Sequence, residues 1–214
     1  MKNRTLFGVI GAVVVLCLGA LIGTAIYLVK KRPSGNTLTG RISQDAALVV
    51  NIDVAQARAW PVLNTLRNHI TAPPSPENEA RNEIARQYRD LQAGCGFDPW
   101  QKLERLNIGV ERAVLAGRNQ SAWVAFLDGG FTTPEAQRCV TWIAQRDHQV
   151  LTPEQVRSRT VHTIARDGQR VTPGTTQMAL LDHTALFTAR ENMDHALAVI
   201  DGEQPALAAA SPLA

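Results

Sequence analysis

The longest apolar run of the chain covers residues 6–29, which read LFGVIGAVVVLCLGALIGTAIYLV and include no charged side chain. A bilayer core about 30 Å thick requires about 20 apolar residues in a helix. In lipid, a helix also satisfies its own backbone hydrogen bonds within a single segment. The pattern therefore predicts a membrane-spanning helix over residues 6–29, preceded by a short basic N-terminus at residues 1–5.

The basic residues that flank this run bear on whether the segment is a cleaved signal peptide and on which side of the membrane the domain lies. A cleaved signal peptide has an apolar region of only about 7–15 residues, whereas this run is longer and ends in Lys30, Lys31 and Arg32. Counting basic residues on the two sides favours a cytoplasmic domain, because only Lys2 and Arg4 precede the run. A short basic N-terminus before an apolar run is, however, typical of uncleaved anchors that export the domain after them. We expect a single-pass bacterial membrane protein whose soluble domain is extracytoplasmic.

Small residues form one stripe of the predicted span. At about 100° per residue, Gly8, Ala12, Gly19 and Gly23 lie on the same side of the helix. Such a stripe lets two helix backbones pack closely, and Gly19 and Gly23 have the GxxxG spacing. Glycine and alanine are also common in membrane helices without this role. The stripe predicts a homodimer formed through the membrane helix.

Beyond the span, the alternation of apolar and polar residues predicts a linker at 30–42, one globular domain at 43–203 and an Ala-rich tail at 204–214 that is disordered or truncated. Strands are predicted from short β-branched runs, and helices from apolar residues at three- and four-residue steps. The predicted strands cover 46–52, 107–111, 122–127, 160–165, 176–181 and 185–189. The predicted helices cover 54–68 with a break at Pro61, 77–93, a short segment after Pro99, 133–146 and 193–200.

Short turns join neighbouring strands in this pattern. Asp167-Gly168 and Asp182-His183 are both tight-turn sequences between apolar runs. Consecutive strands joined in this way form an antiparallel sheet. The sequence therefore predicts an α+β fold, in which helices pack on one face of a mainly antiparallel sheet.

The net charge of the soluble part differs from that of the whole chain. The whole chain has a net charge of +3, but five of its 22 basic residues flank the span. The remaining 17 basic and 19 acidic residues give the soluble part a net charge of −2. A nucleic-acid surface is basic, so the composition predicts no nucleic-acid partner.

Two of the three cysteines lie in the soluble part. Cys95 and Cys139 allow one disulfide, whereas Cys17 lies within the predicted span. In an exported domain the two can pair in a disulfide, whereas in a cytoplasmic one they are expected to be buried thiols.

Candidate chemistry is sparse. The five histidines are scattered rather than clustered at metal-ligand spacing, and we expect no metal and no cofactor. Asp53 and Asp128 each follow an apolar strand, where carboxylates more often cap helices or form turns than carry out acid–base catalysis. The sequence thus favours a non-enzymatic domain, a scaffold or binding module. The alternative is a membrane-tethered enzyme with a dispersed site around Asp53, Asp128 and His162.

Three segments carry a resemblance to a known group of proteins. They are ALVVNIDVAQARAWPVLNTLR at 47–67, CGFDPWQKLERLNIGV at 95–110 and WVAFLDGGF at 123–131. These segments resemble uncharacterised envelope proteins of high-GC bacteria, which have an N-terminal signal or anchor. The present chain lacks the Leu-Pro that often precedes the first strand in that group. The resemblance implies export and supplies no activity.

Overall fold

The structure, a computed structural model, describes residues 41–42, 45–74, 78–111 and 122–206. The predicted span at 6–29, its small-residue stripe (Gly8, Ala12, Gly19 and Gly23) and the tail from 207 onward lie outside these residues. Among the helices that are described, none is long and apolar enough to cross a membrane.

The domain is built on one seven-stranded sheet in which every neighbouring pair is antiparallel. The strands follow the order β1-β2-β3-β7-β6-β5-β4 across the sheet. Their bounds are β1 Ala46–Asp53, β2 Leu103–Glu111, β3 Trp123–Gly129, β4 Gln149–Val156, β5 Arg159–Arg166, β6 Thr176–Leu181 and β7 Thr184–Ala189. The predicted α+β class with a mainly antiparallel sheet is confirmed.

Six α-helices are described: α1 Val54–Ala57, α2 Pro61–Thr71, α3 Glu79–Cys95, α4 Pro99–Lys102, α5 Thr133–Arg146 and α6 Met193–Ile200. Local sequence sets most of their ends. Pro61 starts α2 and so separates it from α1, as predicted. Gly96 ends α3 in the left-handed conformation, with φ of 75°. Thr132 caps α5 through a reciprocal capping box with Glu135.

Helices pack on both faces of the sheet, so the prediction that they share one face was wrong. Residues paired across antiparallel strands point to the same side. On one side, here the α6 face, Val161, Leu186 and Phe126 pack with residues of α6. On the other, the α5 face, Ala185 packs with Ala136 of α5. The two helices therefore cover opposite faces of the sheet, α6 one face and α5 the other.

Strand β4 was absent from the sequence prediction. Its sequence, QVLTPEQV, is polar and contains Pro153. Proline cannot donate to a ladder and is confined to edge strands and bulges. β4 lies at the edge of the sheet, where Pro153 is paired with His162 of β5. The edge position thus explains both the polar composition and the tolerated proline.

The last two residues of the predicted linker, Arg41 and Ile42, contact the folded domain. Ile42 is 1% exposed and is part of the core of the α6 face. A Cβ at Gly109 would lie 2.8 Å from Cγ2 of Ile42, so glycine at that position makes room for the incoming chain. Arg41 is held by Asp128. We call Arg41–Ile42, both of which contact the α6 face, the strap.

Candidate functional site

Asp128, one of the three residues of the predicted dispersed site, is the hub of a hydrogen-bond network on the α6 face. Its Oδ1 accepts from Nη1 of Arg41 at 2.9 Å and from the hydroxyl of Thr184 at 2.5 Å. Its Oδ2 accepts from the buried amide of Asn107 at 3.3 Å. The carboxylate is thus engaged by side chains that hold the strap, β2 and β7 together. It lies within β3, which extends to Gly129, and is not the turn former that the sequence favoured.

The partners of Asp128 could not be identified from sequence. Arg41 precedes it by 87 positions, and Thr184 follows it by 56. Only the register of the sheet, which pairs Asp128 with Thr184, brings them together. In the sequence, Asp128 was recognisable only as the end of a predicted strand. That position favoured a role in a turn and gave no indication of its partners.

The structure does not bring Asp53, Asp128 and His162 into one site. Asp53 caps α1, accepting from the backbone N–H of Gln56 at 2.7 Å, as the sequence predicted. Arg105 lies between Asp53 and Asp128 in the sheet register, so two strand spacings, about 10 Å, separate these carboxylates. His162 pairs with Met178 and points to the opposite face. Three strand spacings, about 14 Å, also separate β5 from β3.

His162 instead lines an open groove of about 440 Å³ on the α5 face. We call this the β5–β6 groove. Its lining residues are Thr133, Gln137, Arg159, Thr160, His162, Leu180, Leu181 and Asp182. Its size is within the range of about 300–1,000 Å³ that is typical of ligand sites.

The groove exists because β5 and β6 pair over only three positions, between Val161–Ala179 and Thr163–Gln177. On its other side β5 pairs with β4 at all eight of its residues. β6 likewise pairs with β7 at all six of its residues. This short β5–β6 pairing, which we call the seam, therefore lies between two completely paired ladders. Because the pairing ends early, Thr160 and Leu180 lie on either side of the groove.

The groove lining includes one basic and one acidic side chain, Arg159 and Asp182. Arg159 forms an ion pair with Asp201, which follows α6. Asp182 lies in the β6–β7 turn with φ of 49°, and its backbone carbonyl accepts from the hydroxyl of Thr133 at 3.2 Å. Thr133, Gln137 and Thr160 add neutral hydrogen-bonding groups to the lining, and His162 adds an imidazole. Because Asp201 already neutralises Arg159, Asp182 supplies the remaining charge of the lining, and the groove disfavours an anionic ligand.

A disulfide joins the two helices of the α5 face. Cys95, the last residue of α3, is bonded to Cys139 in the middle of α5. The helices also approach closely at Gly94, where a Cβ would lie 2.2 Å from the ring of Trp142. Cys95 is completely buried and ends its helix. The α3–α5 contact is therefore both tight and covalent.

A second network ties α2 and α4 to α3. The hydroxyl of Tyr88 donates to Asp98, which also accepts from the backbone N–H of Trp100 at 2.9 Å. Arg67 of α2 lies 3.9 Å from the same carboxylate. Burial, and then the hydrogen bond to Asp98, raise the pKa of Tyr88 well above its usual value. This network is structural, because each group is used to join helices.

A much smaller cavity, of about 20 Å³, lies on the α6 face between the strap and α6. Glu111 and His195 line it. Burial raises the pKa of the Glu111 carboxyl, and the nearby charge of His195 opposes that rise. The volume would hold about one water molecule, so the cavity cannot be an organic ligand site.

Side chains that commonly bind metals are dispersed in the described part of the chain. Among residues 41–42, 45–74, 78–111 and 122–206, no three His, Cys, Asp or Glu side chains are grouped to hold an ion. Comparison of the chain with protein-family models, curated proteins and solved structures finds no match. The resemblance to envelope proteins stays a prediction.

Proposed function

We propose that this chain is a membrane-anchored, extracytoplasmic domain of the bacterial cell envelope that acts by binding rather than by catalysis. The observation that carries the proposal is the pairing of Cys95 with Cys139. Disulfides persist in oxidising compartments and are rare in the cytosol. The charge-free run at 6–29 supplies the anchor, and the export expected of a short basic N-terminus agrees with the disulfide.

Binding is favoured because the conspicuous titratable side chains already have structural partners. Asp128 holds the strap, Asp53 caps α1 and Asp98 joins three helices. A catalytic acid or base must instead be within hydrogen-bond reach of a substrate. His162 is the exception, and it lies in the β5–β6 groove, which is open and large enough for a ligand.

The anchor is proposed to form a homodimer through Gly8, Ala12, Gly19 and Gly23. Substitution of both Gly19 and Gly23 by Ile would put branched side chains where two backbones approach. In a membrane self-association reporter, the double variant should lose the signal that the native span gives. A signal equal to that of the native span rejects the dimer.

The proposed orientation is tested by fusing two reporters to the full domain after residue 204. Alkaline phosphatase is active only outside the cytoplasm, and green fluorescent protein exported in unfolded form is fluorescent only inside it. We expect an active phosphatase fusion and a dark fluorescent fusion. The same reporters fused after residue 40 provide the matched control, since they report the anchor without the domain. A fluorescent fusion with inactive phosphatase would overturn the proposal.

A further inference from the structure

We infer that an apolar area of the sheet is the contact between two copies of this chain, which pack face to face. The area lies on the α5 face of β1, β2 and β3 and is half-exposed. This inference goes beyond the proposed function, because it names an interface formed by the domain rather than by the anchor. It rests on the proposed anchor only for the strength of the contact.

Nine apolar side chains, three from each strand, form this area. Leu127 of β3 packs with the cluster of the α5 face, and alternate residues of a strand share a side. Leu127 pairs with Leu106 of β2, and paired residues point to the same side. Val50 places β1 in the same way, because it pairs with Ile108. We call the nine residues the β1–β3 patch: Leu48, Val50, Ile52, Leu106, Ile108, Val110, Trp123, Ala125 and Leu127.

None of these nine side chains is buried. Leu48 is 44% exposed, and the other eight are half-buried. The opposite side of the same strands is closed, since Val124 is 8% and Phe126 1% exposed. In β2 the polar Asn107 is 2% exposed, whereas the neighbouring Ile108 is half-exposed. An antiparallel sheet with one solvated face normally places its polar residues on that face. The patch has the opposite composition, which indicates that a further surface covers it.

The size of the patch indicates a weak contact. Three strands about 4.8 Å apart, with same-side residues about 6.7 Å apart, give the nine side chains an area of about 300 Å². Apolar patches of this size are often functional on monomeric proteins. Stable protein–protein interfaces, however, bury about 800 Å² on each partner. We therefore expect the contact to form when both copies are anchored in one membrane, where tethering raises the effective concentration to about 1 mM.

A second copy suits the patch in charge and in shape. The nine side chains include no charged group, so two copies can face each other without burying an unpaired charge. On the same face, α5 packs on β4 and β6, and a helix stands about 10 Å above its sheet. Two sheets packed face to face are also about 10 Å apart. A two-fold axis parallel to the strands therefore joins the patches, with α5 of each copy beyond the β1 edge of the other. A flat bilayer would instead meet α5 first.

Cross-linking in isolated membranes tests the contact. The full chain carries Cys17→Ser throughout, and Ile108→Cys places a thiol at the centre of the patch, where the two-fold axis brings two copies together. Thr160→Cys is the control, because it places a thiol on the same face but outside the patch, at an exposed position of β5. With a short, membrane-permeable bismaleimide, we expect at least tenfold more covalent dimer from I108C than from T160C.

A charge placed inside the patch, and a matched charge outside it, test the specificity of the contact. Val50→Glu puts like charges against each other in the dimer. Asn51→Glu adds the same charge at the next residue, which is exposed and points to the α6 face. In the I108C chain we expect V50E to reduce the dimer at least tenfold and N51E to leave it unchanged. In dilute detergent, V50E should unfold within about 3 °C of its parent, because the charge stays hydrated in a single copy.

Four results would each overturn the inference: no dimer from I108C, as much dimer from T160C, a dimer that V50E leaves intact, or a much lower unfolding temperature for V50E. The last would show that one copy covers its own patch. The cross-linker reaches both sides of the membrane, so the result does not depend on orientation. A failed orientation reporter would reject export, and a failed self-association reporter would reject the span dimer. Both would leave the patch contact standing.

Discussion

Different interactions stabilise the packing on the two faces of the sheet. On the α6 face, Val161, Leu186 and Leu197 are completely buried in a continuous apolar core. Across the α5 face, the buried cluster is small, and a disulfide joins its two helices. A large buried apolar core stabilises by area removed from water, whereas a disulfide stabilises mainly by restricting the unfolded chain.

This difference indicates a division of roles. The α6 face carries the strap, the Asp128 network and ion pairs from the β4–β5 hairpin, such as Arg157 with Asp194 at 2.9 Å. It therefore serves as the structural side of the domain. The α5 face carries the β5–β6 groove, and α5, which lines one side of the groove, is joined to α3 by the disulfide.

Removal of the disulfide should have the largest effect. It closes a loop with a sequence separation of 44, for which chain entropy predicts a contribution of about 4 kcal/mol. We expect the Cys95→Ala/Cys139→Ala variant to lose about this free energy of unfolding in a urea titration. Cys17→Ser is the control and should be unchanged. A loss below about 1 kcal/mol would show that the α5 face does not depend on its cross-link.

Truncation of a buried side chain in the core of the α6 face should reduce the free energy of unfolding slightly less than removal of the disulfide. Leu197 is 0% exposed, and Leu197→Ala is expected to reduce the free energy of unfolding by about 3 kcal/mol. Ile143→Ala on α5 is the matched control, because Ile143 is 38% exposed and should cost less than about 1 kcal/mol. If the two faces are independent, the loss from Leu197→Ala is the same with and without reductant. Strong non-additivity would contradict the comparison.

The helix-joining network of the α5 side should contribute a smaller amount. Tyr88→Phe removes a hydrogen bond to a carboxylate, a loss of about 1.5 kcal/mol. Because the folded state raises the pKa of Tyr88, the folded protein retains that proton above pH 10, where the unfolded chain releases it. Stability attributable to Tyr88 is therefore lost as pH rises above about 10. The variant should lack this alkaline loss in pH-dependent thermal unfolding, and an identical pH profile would refute the role.

The smallest effect is expected at Glu111 on the α6 face. Burial raises the pKa of this carboxyl, so the folded state holds the proton more tightly than the unfolded chain. Stability attributable to Glu111 therefore falls as pH rises above about 4.3, the usual pKa of Glu. Glu111→Gln should be more stable at neutral pH, by less than about 0.5 kcal/mol because water still reaches the side chain. A destabilised variant would contradict this assignment.

Elements with a local signal were predictable from sequence. The Pro61 break and the Asp53 cap both depend on residues within one turn of the position they determine. β4 was missed because an edge strand needs neither apolar alternation nor a complete set of donors, so its polar sequence with Pro153 carries no strand signal.

The candidate site could be predicted only in part. His162 was identified, but not the groove around it, because that groove depends on where the β5–β6 pairing stops. Asp128 was identified for the wrong reason, since its partners Arg41 and Thr184 are distant in sequence. Long-range register and the side of the sheet that a helix covers have no local signature. For the same reason, the sequence prediction placed α6 on the same face as the other helices.

The central claim, an exported domain with a disulfide across its α5 face, is tested most directly by trapping thiols in growing cells. Cells producing the full chain with Cys17→Ser are quenched in acid, and the protein is alkylated with a large maleimide without reductant. We expect no mass shift, and a shift for two thiols once reductant is added first. A two-thiol shift without reductant would show that Cys95 and Cys139 are unpaired in the cell, which contradicts the claim.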